Sequence, residues 1–262
     1  MAAFKRFRTR LGMRKAKTLP VAGNAPGRDV STAEVFKIYG LFRSGTNLLK
    51  LLVEQNMEAT CNVNVGGHKH LYTPIKFGPS GYEPPEEKIL VCVKDPYANM
   101  HSLFKYGQLV NFRHFECDKD WNAFLRSRFT LTIDSQPKHP GFLFRTPVDY
   151  WNSHYFHMLS LPEDRAMILR YEDVLANPGD VLRRVASRFP AAKLNNEKIA
   201  LPMRQLRRMG EELKTQPLTN RPFDTRWYSE RRYMQEFSKD NLDAMRDALD
   251  ADVVNRLSYS VV

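Results

Sequence analysis

Short apolar runs alternate with amphipathic stretches along most of this chain. Val35-Phe36-Lys37-Ile38-Tyr39, Lys88-Ile89-Leu90-Val91-Cys92-Val93 and Ala166-Met167-Ile168-Leu169-Arg170-Tyr171 are five or six residues long and dense in bulky apolar side chains. Runs of that kind predict strands of a parallel sheet, buried on both faces. A shorter strand is expected around Cys61 to Val65. Between the strands, helical patterns cover Thr46 to about Asn56, the segment from Pro96 through Ser102 and Phe104, the Trp121-Phe124-Leu125 region, and Val148 to Leu161. Another runs from Pro178 to about Arg188, with Asn177 as its N-cap and Pro178 at its first position. A final amphipathic helix, Asp240 to about Leu249, follows a basic loop from Arg221 to Arg232. Residues 61–88 and the section holding Pro137, Pro140 and Gly141 read as loops. Strands alternating with helices predict an α/β protein with a doubly wound parallel sheet, and such sheets bind ligands at the carboxyl ends of their strands. There is no internal repeat and no linker after residue 30.

Composition divides the chain in two. At 262 residues with 42% apolar content, it can bury a sizeable core and suits one α/β domain. The formal net charge is +11, which favours anionic ligands. Eight of those charges (Lys5, Arg6, Arg8, Arg10, Arg14, Lys15, Lys17 and Arg28) precede the first acidic residue, Asp29. Residues 1–30 therefore read as a basic, disordered tail, and residues 31–262 as a mildly basic globular domain. That distribution argues against nucleic acid as a partner and leaves weak contact between the tail and a membrane surface as an expectation. No stretch approaches the roughly 18 uninterrupted apolar residues of a membrane span, and no apolar signal-peptide core is present. Cys61, Cys92 and Cys117 follow neither a disulfide nor a zinc spacing. A cytoplasmic protein is expected, with organelle targeting by the Arg-rich N-terminus as the alternative.

The candidate chemistry begins where the first strand ends. Gly40-Leu41-Phe42-Arg43-Ser44-Gly45-Thr46-Asn47 joins that strand to the first helix. A helix N-terminus offers unpaired backbone N–H groups and partial positive charge, so this junction is an anion site. The Gly40-x4-Gly45 spacing matches part of the nucleotide P-loop, but Thr46 and Asn47 stand where Lys and Ser/Thr are required. The positive charge is at Arg43 instead.

Three segments resemble the sulfotransferase family, whose members use 3′-phosphoadenosine-5′-phosphosulfate (PAPS) on a fold related to P-loop kinases. Arg43-Ser44-Gly45-Thr46 is similar to the family's 5′-phosphosulfate loop, a basic residue followed by Ser-Gly-Thr. Lys94 at a strand end, with Ser102 eight positions later, is similar to the 3′-phosphate motif. Arg170-Tyr171-Glu172-Asp173, followed by the helix that Pro178 starts, is similar to the family's third strand exit. Together these span residues 35 to about 188, and Arg256-Leu257-Ser258-Tyr259 near the last helix is also family-like.

The resemblance implies a three-layer α/β fold of the P-loop NTPase-like sulfotransferase type, with a mostly parallel sheet flanked by helices. It implies sulfuryl transfer from PAPS, as co-substrate, to a hydroxyl of a saccharide or small-molecule alcohol, with no metal. Arg43, Ser44, Gly45, Thr46 and Asn47 would hold the 5′-phosphosulfate, with Arg43 also stabilising the leaving oxygen, and Lys94 and Ser102 would hold the 3′-phosphate. Tyr171 and Arg226 join the expected cofactor set.

A family base lies between the two cofactor motifs, and here that interval contains His68, Lys69 and His70. His70 is the expected base, His68 its rival, and Lys69 a neighbour of the sulfuryl oxygens. Two departures stand out. Lys94 replaces the usual Arg and gives up bidentate geometry. The family's C-terminal Arg-Lys-Gly loop is missing, leaving Arg226, Arg231 or Arg232 to replace it and Trp227 or Tyr228 to stack on adenine. The acceptor pocket is expected within 107–160. The competing readings are a P-loop small-molecule or nucleoside kinase and a catalytically inactive anion-binding relative.

Overall fold

From Phe36 onward the strand Glu34–Tyr39 (β1) is buried, Lys37 included. A strand reads this way when helices cover both faces of its sheet. A computed structural model of the chain describes residues 33–62, 69–70, 76–78, 81–83, 87–109, 120–131, 142–202, 204–209, 212–217 and 225–262. The expected N-terminal tail and His68 lie outside the described residues.

After β1 come α1 (Thr46–Asn56), β2 (Ala59–Asn62), the short strands β3 (Lys76–Gly78) and β4 (Gly81–Glu83), then β5 (Lys88–Val93) and α2 (Pro96–Leu109). Next are α3 (Trp121–Arg126), β6 (Phe129–Leu131), β7 (Phe142–Phe144), α4 (Pro147–Leu159) and β8 (Ala166–Arg170). The chain continues through α5 (Tyr171–Ala176), α6 (Pro178–Arg188), the hairpin β9 (Arg204–Met209) and β10 (Glu212–Pro217), and the single turn α7 (Arg226–Ser229). A 3₁₀ turn (Arg232–Glu236), α8 (Lys239–Ala248) and α9 (Ala251–Arg256) complete it.

The protein is α/β, with a four-stranded sheet in the order β2-β1-β5-β8, every pairing parallel. Alternation along β5 explains the layering. Ile89, Val91 and Val93 face a core that includes Tyr97 and Leu103 of α2, Trp151 and Tyr155 of α4, Met245 of α8 and Val253 of α9. Leu90 and Cys92 face the opposite core, with Leu49 and Leu52 of α1 and Val181 and Leu182 of α6. Helices thus pack on both faces of the sheet. Among the described residues no helix is long and apolar enough to cross a membrane.

The strand order also fixes where a ligand fits. The chain leaves β1 towards β2 on one side, yet β5 pairs with β1 on the other. The order therefore reverses between β1 and β5, and the crevice outside their carboxyl ends is the binding position of open α/β sheets. Arg43 follows β1, and Lys94 follows β5.

The long apolar patterns predict their elements closely, and Asn177 caps α6 by accepting from the Asp180 N–H at 3.2 Å. Several details differ. The antiparallel pair β3–β4 falls inside residues 61–88, which read as a loop, and the turn α7 falls inside the expected basic loop 221–232. Tyr171 opens α5 instead of ending β8, because Glu172 and Asp173 fall in its first turn, where acids complement the helix dipole. The antiparallel pair β6–β7 has only three residues per strand, too few for a period. The hairpin β9–β10 carries only Leu206, Met209 and Leu213 as large apolar residues, so its alternation is weak. The expected strand at 61–65 begins earlier, at Ala59, and its second half lies outside the described residues.

Candidate active site

The β1–α1 loop is held open by two glycines with different tasks. A Cβ on Gly40 would lie 2.5 Å from Ser44 Oγ and 2.6 Å from the Cys92 carbonyl oxygen, so no side chain fits where the loop crosses β5. Gly45 has φ +99°, and a Cβ there would lie 2.3 Å from the Tyr171 ring. Ser44 is fully buried and turned inward, its hydroxyl donating to the Leu41 carbonyl at 2.9 Å. Arg43 adopts φ 69°, a left-handed conformation uncommon for a residue with a side chain, and its side chain emerges exposed from the loop.

His70 meets this loop at Gly40. Its Nδ1 lies 2.6 Å from the Gly40 carbonyl oxygen. A carbonyl only accepts, so Nδ1 carries a hydrogen, and in the neutral imidazole Nε2 then holds the lone pair. Tyr150 donates its phenol hydrogen to the His70 carbonyl at 3.1 Å, and the Phe42 ring centroid is 4.1 Å from the imidazole. Lys69, next to His70, donates from Nζ to Asn47 Oδ1 at the start of α1. Burial, followed by repulsion from Lys50, lowers the Lys69 ammonium to about 8. The structure therefore gathers His70, Lys69, Asn47 and the Arg43–Thr46 loop at one strand end.

Lys94 forms a second basic centre at the neighbouring strand end. Only 2% of it is exposed. Its Nζ donates to Ser102 Oγ at 2.9 Å, to the Tyr228 phenol oxygen at 3.0 Å, and lies 3.5 Å from the Arg43 carbonyl. The Tyr171 and Tyr228 ring centroids lie 4.7 Å and 4.3 Å from the same nitrogen. Among the described residues no carboxylate forms an ion pair with it. Burial pushes the Lys94 ammonium down. For the Tyr228 phenol, burial acts upward, but the Lys94 ammonium, the Ser102 hydroxyl and the Arg43 charge together outweigh it, so its net direction is down.

Two acids beside Lys94 are committed to the scaffold. Glu172 accepts from the Asp95 N–H at 3.1 Å and from the Tyr259 hydroxyl at 2.6 Å. Asp95 accepts from the Ala98 N–H at 3.0 Å at the start of α2, and from Arg231 Nη2 at 3.3 Å. Burial raises both carboxyls, against the opposing pull of those donors.

Of the C-terminal cations, Arg231 thus engages Asp95 and Arg232 pairs with Glu230 at 2.6 Å. Arg226 is exposed at the start of α7, two residues before Tyr228. Trp227 packs towards His101, ring centroids 5.6 Å apart, while Tyr228 turns to Lys94. Sequence reasoning offered Tyr228 as a stacking platform and missed its hydroxyl contact with Lys94. It also missed Asn99 and Tyr106 of α2. Asn99 Nδ2 donates to the Phe42 carbonyl at 3.2 Å, and the Tyr106 ring lies 5.2 Å from the Arg43 guanidinium carbon. The signal was available: both lie on the helical stripe through Ser102, three residues before and four after it.

The arrangement offers two cations at adjacent strand ends, a ring nitrogen with its lone pair at Nε2, and a loop of backbone donors. Compared with known proteins, the chain matches no protein-family model and no curated protein.

Proposed function

We propose that this protein transfers a sulfuryl group from PAPS to a hydroxyl, on a P-loop-like sulfotransferase fold. The observation that carries this reading is the pair of separate cationic centres at the switch point of the sheet. Arg43 follows β1, and the buried Lys94–Ser102 pair follows β5. A ligand with one polyphosphate needs one such centre, whereas PAPS bears a 3′-phosphate distinct from its 5′-phosphosulfate. Lys94 is suited to the 3′-phosphate, since a buried ammonium that no carboxylate among the described residues pairs with gains most from an anion. Tyr171 and Tyr228 wall that position.

In this reading the acceptor hydroxyl gives its proton to Nε2 of His70, held in the required tautomer by Gly40. The acceptor oxygen bonds to sulfur as the bond from sulfur to the 5′-phosphate oxygen breaks. Negative charge grows on that leaving oxygen, where Arg43 and the loop N–H groups stabilise it. Lys69 stands beside Asn47 to meet the sulfuryl oxygens. The acceptor is a hydroxyl of a saccharide or a small-molecule alcohol.

Thermal-shift measurements test the assignment. Adenosine 3′,5′-bisphosphate is expected to raise the melting temperature, and ATP with magnesium to leave it unchanged. Stabilisation by ATP–magnesium alone would favour a kinase and refute the sulfotransferase reading.

A further inference from the structure

One face of α2 touches both basic centres. Asn99, Ser102 and Tyr106 follow the i, i+3, i+7 spacing that aligns side chains on a helix. Ser102 accepts from Lys94 at 2.9 Å, Asn99 donates to the loop carbonyl of Phe42 at 3.2 Å, and Tyr106 lies under Arg43. Among the described residues no hydrogen bond or ion pair holds the Arg43 side chain. Its side chain is exposed, and no carboxylate among the described residues pairs with it. Its backbone is left-handed, φ 69°, and its guanidinium carbon lies 5.2 Å from the Tyr106 ring centroid. Tyr106 in turn stacks on Phe42 at 6.3 Å and 21°, and Phe42 packs on His70 at 4.1 Å. A ladder of rings therefore runs from the imidazole to the guanidinium.

We propose that Tyr106 is a positioning residue that seats the Arg43 guanidinium over the anion loop through its ring face. The proposal rests on the reading of this loop as the 5′-phosphosulfate site. An exposed flexible arginine loses rotamer freedom when it binds an anion, and a ring that already holds it reduces that loss. The hydroxyl of Tyr106 is not needed for this task, and its aromatic face is.

The test is a double-mutant cycle on the affinity for adenosine 3′,5′-bisphosphate, followed by calorimetry. The variants are Tyr106→Leu, Arg43→Ala and the two combined, with Tyr106→Phe as the conservative replacement and urea midpoints recorded for each. Tyr106→Leu keeps apolar bulk and is expected to weaken binding about 3-fold, the scale of an exposed cation–π contact. Tyr106→Phe is expected to restore it. The combined variant is expected to bind no more weakly than Arg43→Ala alone, because Tyr106 acts through Arg43. Additive losses, or failure of Phe to restore affinity, would overturn the proposal while leaving the anion-site reading in place. A wild-type protein that does not bind the bisphosphate would overturn both.

Discussion

Tyr228 places its phenolic oxygen 3.0 Å from Nζ of Lys94, across a sequence separation of 134 residues. The contact closes the C-terminal turn α7 over the end of β5. It also supplies a neutral acceptor to an ammonium that is almost wholly removed from water. Neutral oxygens compensate a buried charge only in part, so the folded protein carries an electrostatic cost that a bound anion would relieve.

Replacing Lys94 by Met is therefore expected to separate binding from stability. The ligand-free variant should be more stable than the parent by about 1 kcal/mol, because a cation compensated only by neutral groups is replaced by an apolar chain of similar length. Tyr228 already hydrogen-bonds to Ser102, so the two hydroxyls remain partnered. Urea unfolding measures this, and a destabilised variant would show that the ammonium contributes to the fold itself.

Gly45 tests the loop geometry. Its φ is +99°, and a Cβ added to it would sit 2.3 Å from the Tyr171 ring. Gly45→Ala should therefore cost about 2–4 kcal/mol through backbone strain and overlap. Gly179, inside α6, is the control. A Cβ there first meets the flexible Arg183 side chain at 3.4 Å, so Gly179→Ala should be neutral or stabilise by about 0.5 kcal/mol. Equal losses at both positions, measured by chemical denaturation, would contradict the account.

Alkaline pH tests the buried lysines. Burial, opposed by Glu87, lowers Lys37 to about 8, and Lys69 also falls to about 8. Each returns to its ordinary value on unfolding, so above pH 8 the unfolded chain binds more protons and stability rises with pH. Buried Cys61, Cys92, Tyr39 and Tyr150 are shifted upward by burial and act in the opposite sense once ordinary thiols and phenols ionise, above about pH 9. Stability should therefore increase from about pH 7.5 to a maximum near pH 9, and Lys37→Met should flatten the rise. A monotonic fall over that range in the parent would refute it.

His70 separates catalysis from binding. His70→Ala should reduce PAPS-dependent sulfation of any accepted alcohol by about 100-fold or more, the scale of general-base catalysis, with bisphosphate affinity within about 2-fold of the parent. Retained turnover in labelled-PAPS assays would move the base elsewhere.

Much of the fold is legible in the sequence because the central strands are apolar on both faces and the helices carry their own caps. Val35 to Tyr39, Lys88 to Val93 and the Asn177-Pro178 helix start are local signals. The hairpin β9–β10 is not legible, since its pairing depends on register between strands rich in Arg, Lys, Glu and Gln. At the site, the loop glycines and the eight-residue step from Lys94 to Ser102 can be read directly, because one strand end and one helix turn carry both partners. The contacts of Lys94 with Tyr228, and of Asp95 with Arg231, cannot. They join segments more than 130 residues apart, and tertiary packing alone brings them together.

The most direct test of the two-centre account is isothermal calorimetry of adenosine 3′,5′-bisphosphate against adenosine 5′-monophosphate, on the parent and on Lys94→Met. The account predicts that the parent prefers the bisphosphate by about 10- to 100-fold, the worth of a charged hydrogen bond to the 3′-phosphate, and that Lys94→Met erases this preference while still binding the monophosphate. Equal affinity of the parent for both nucleotides, or a preference that survives in Lys94→Met, would contradict it.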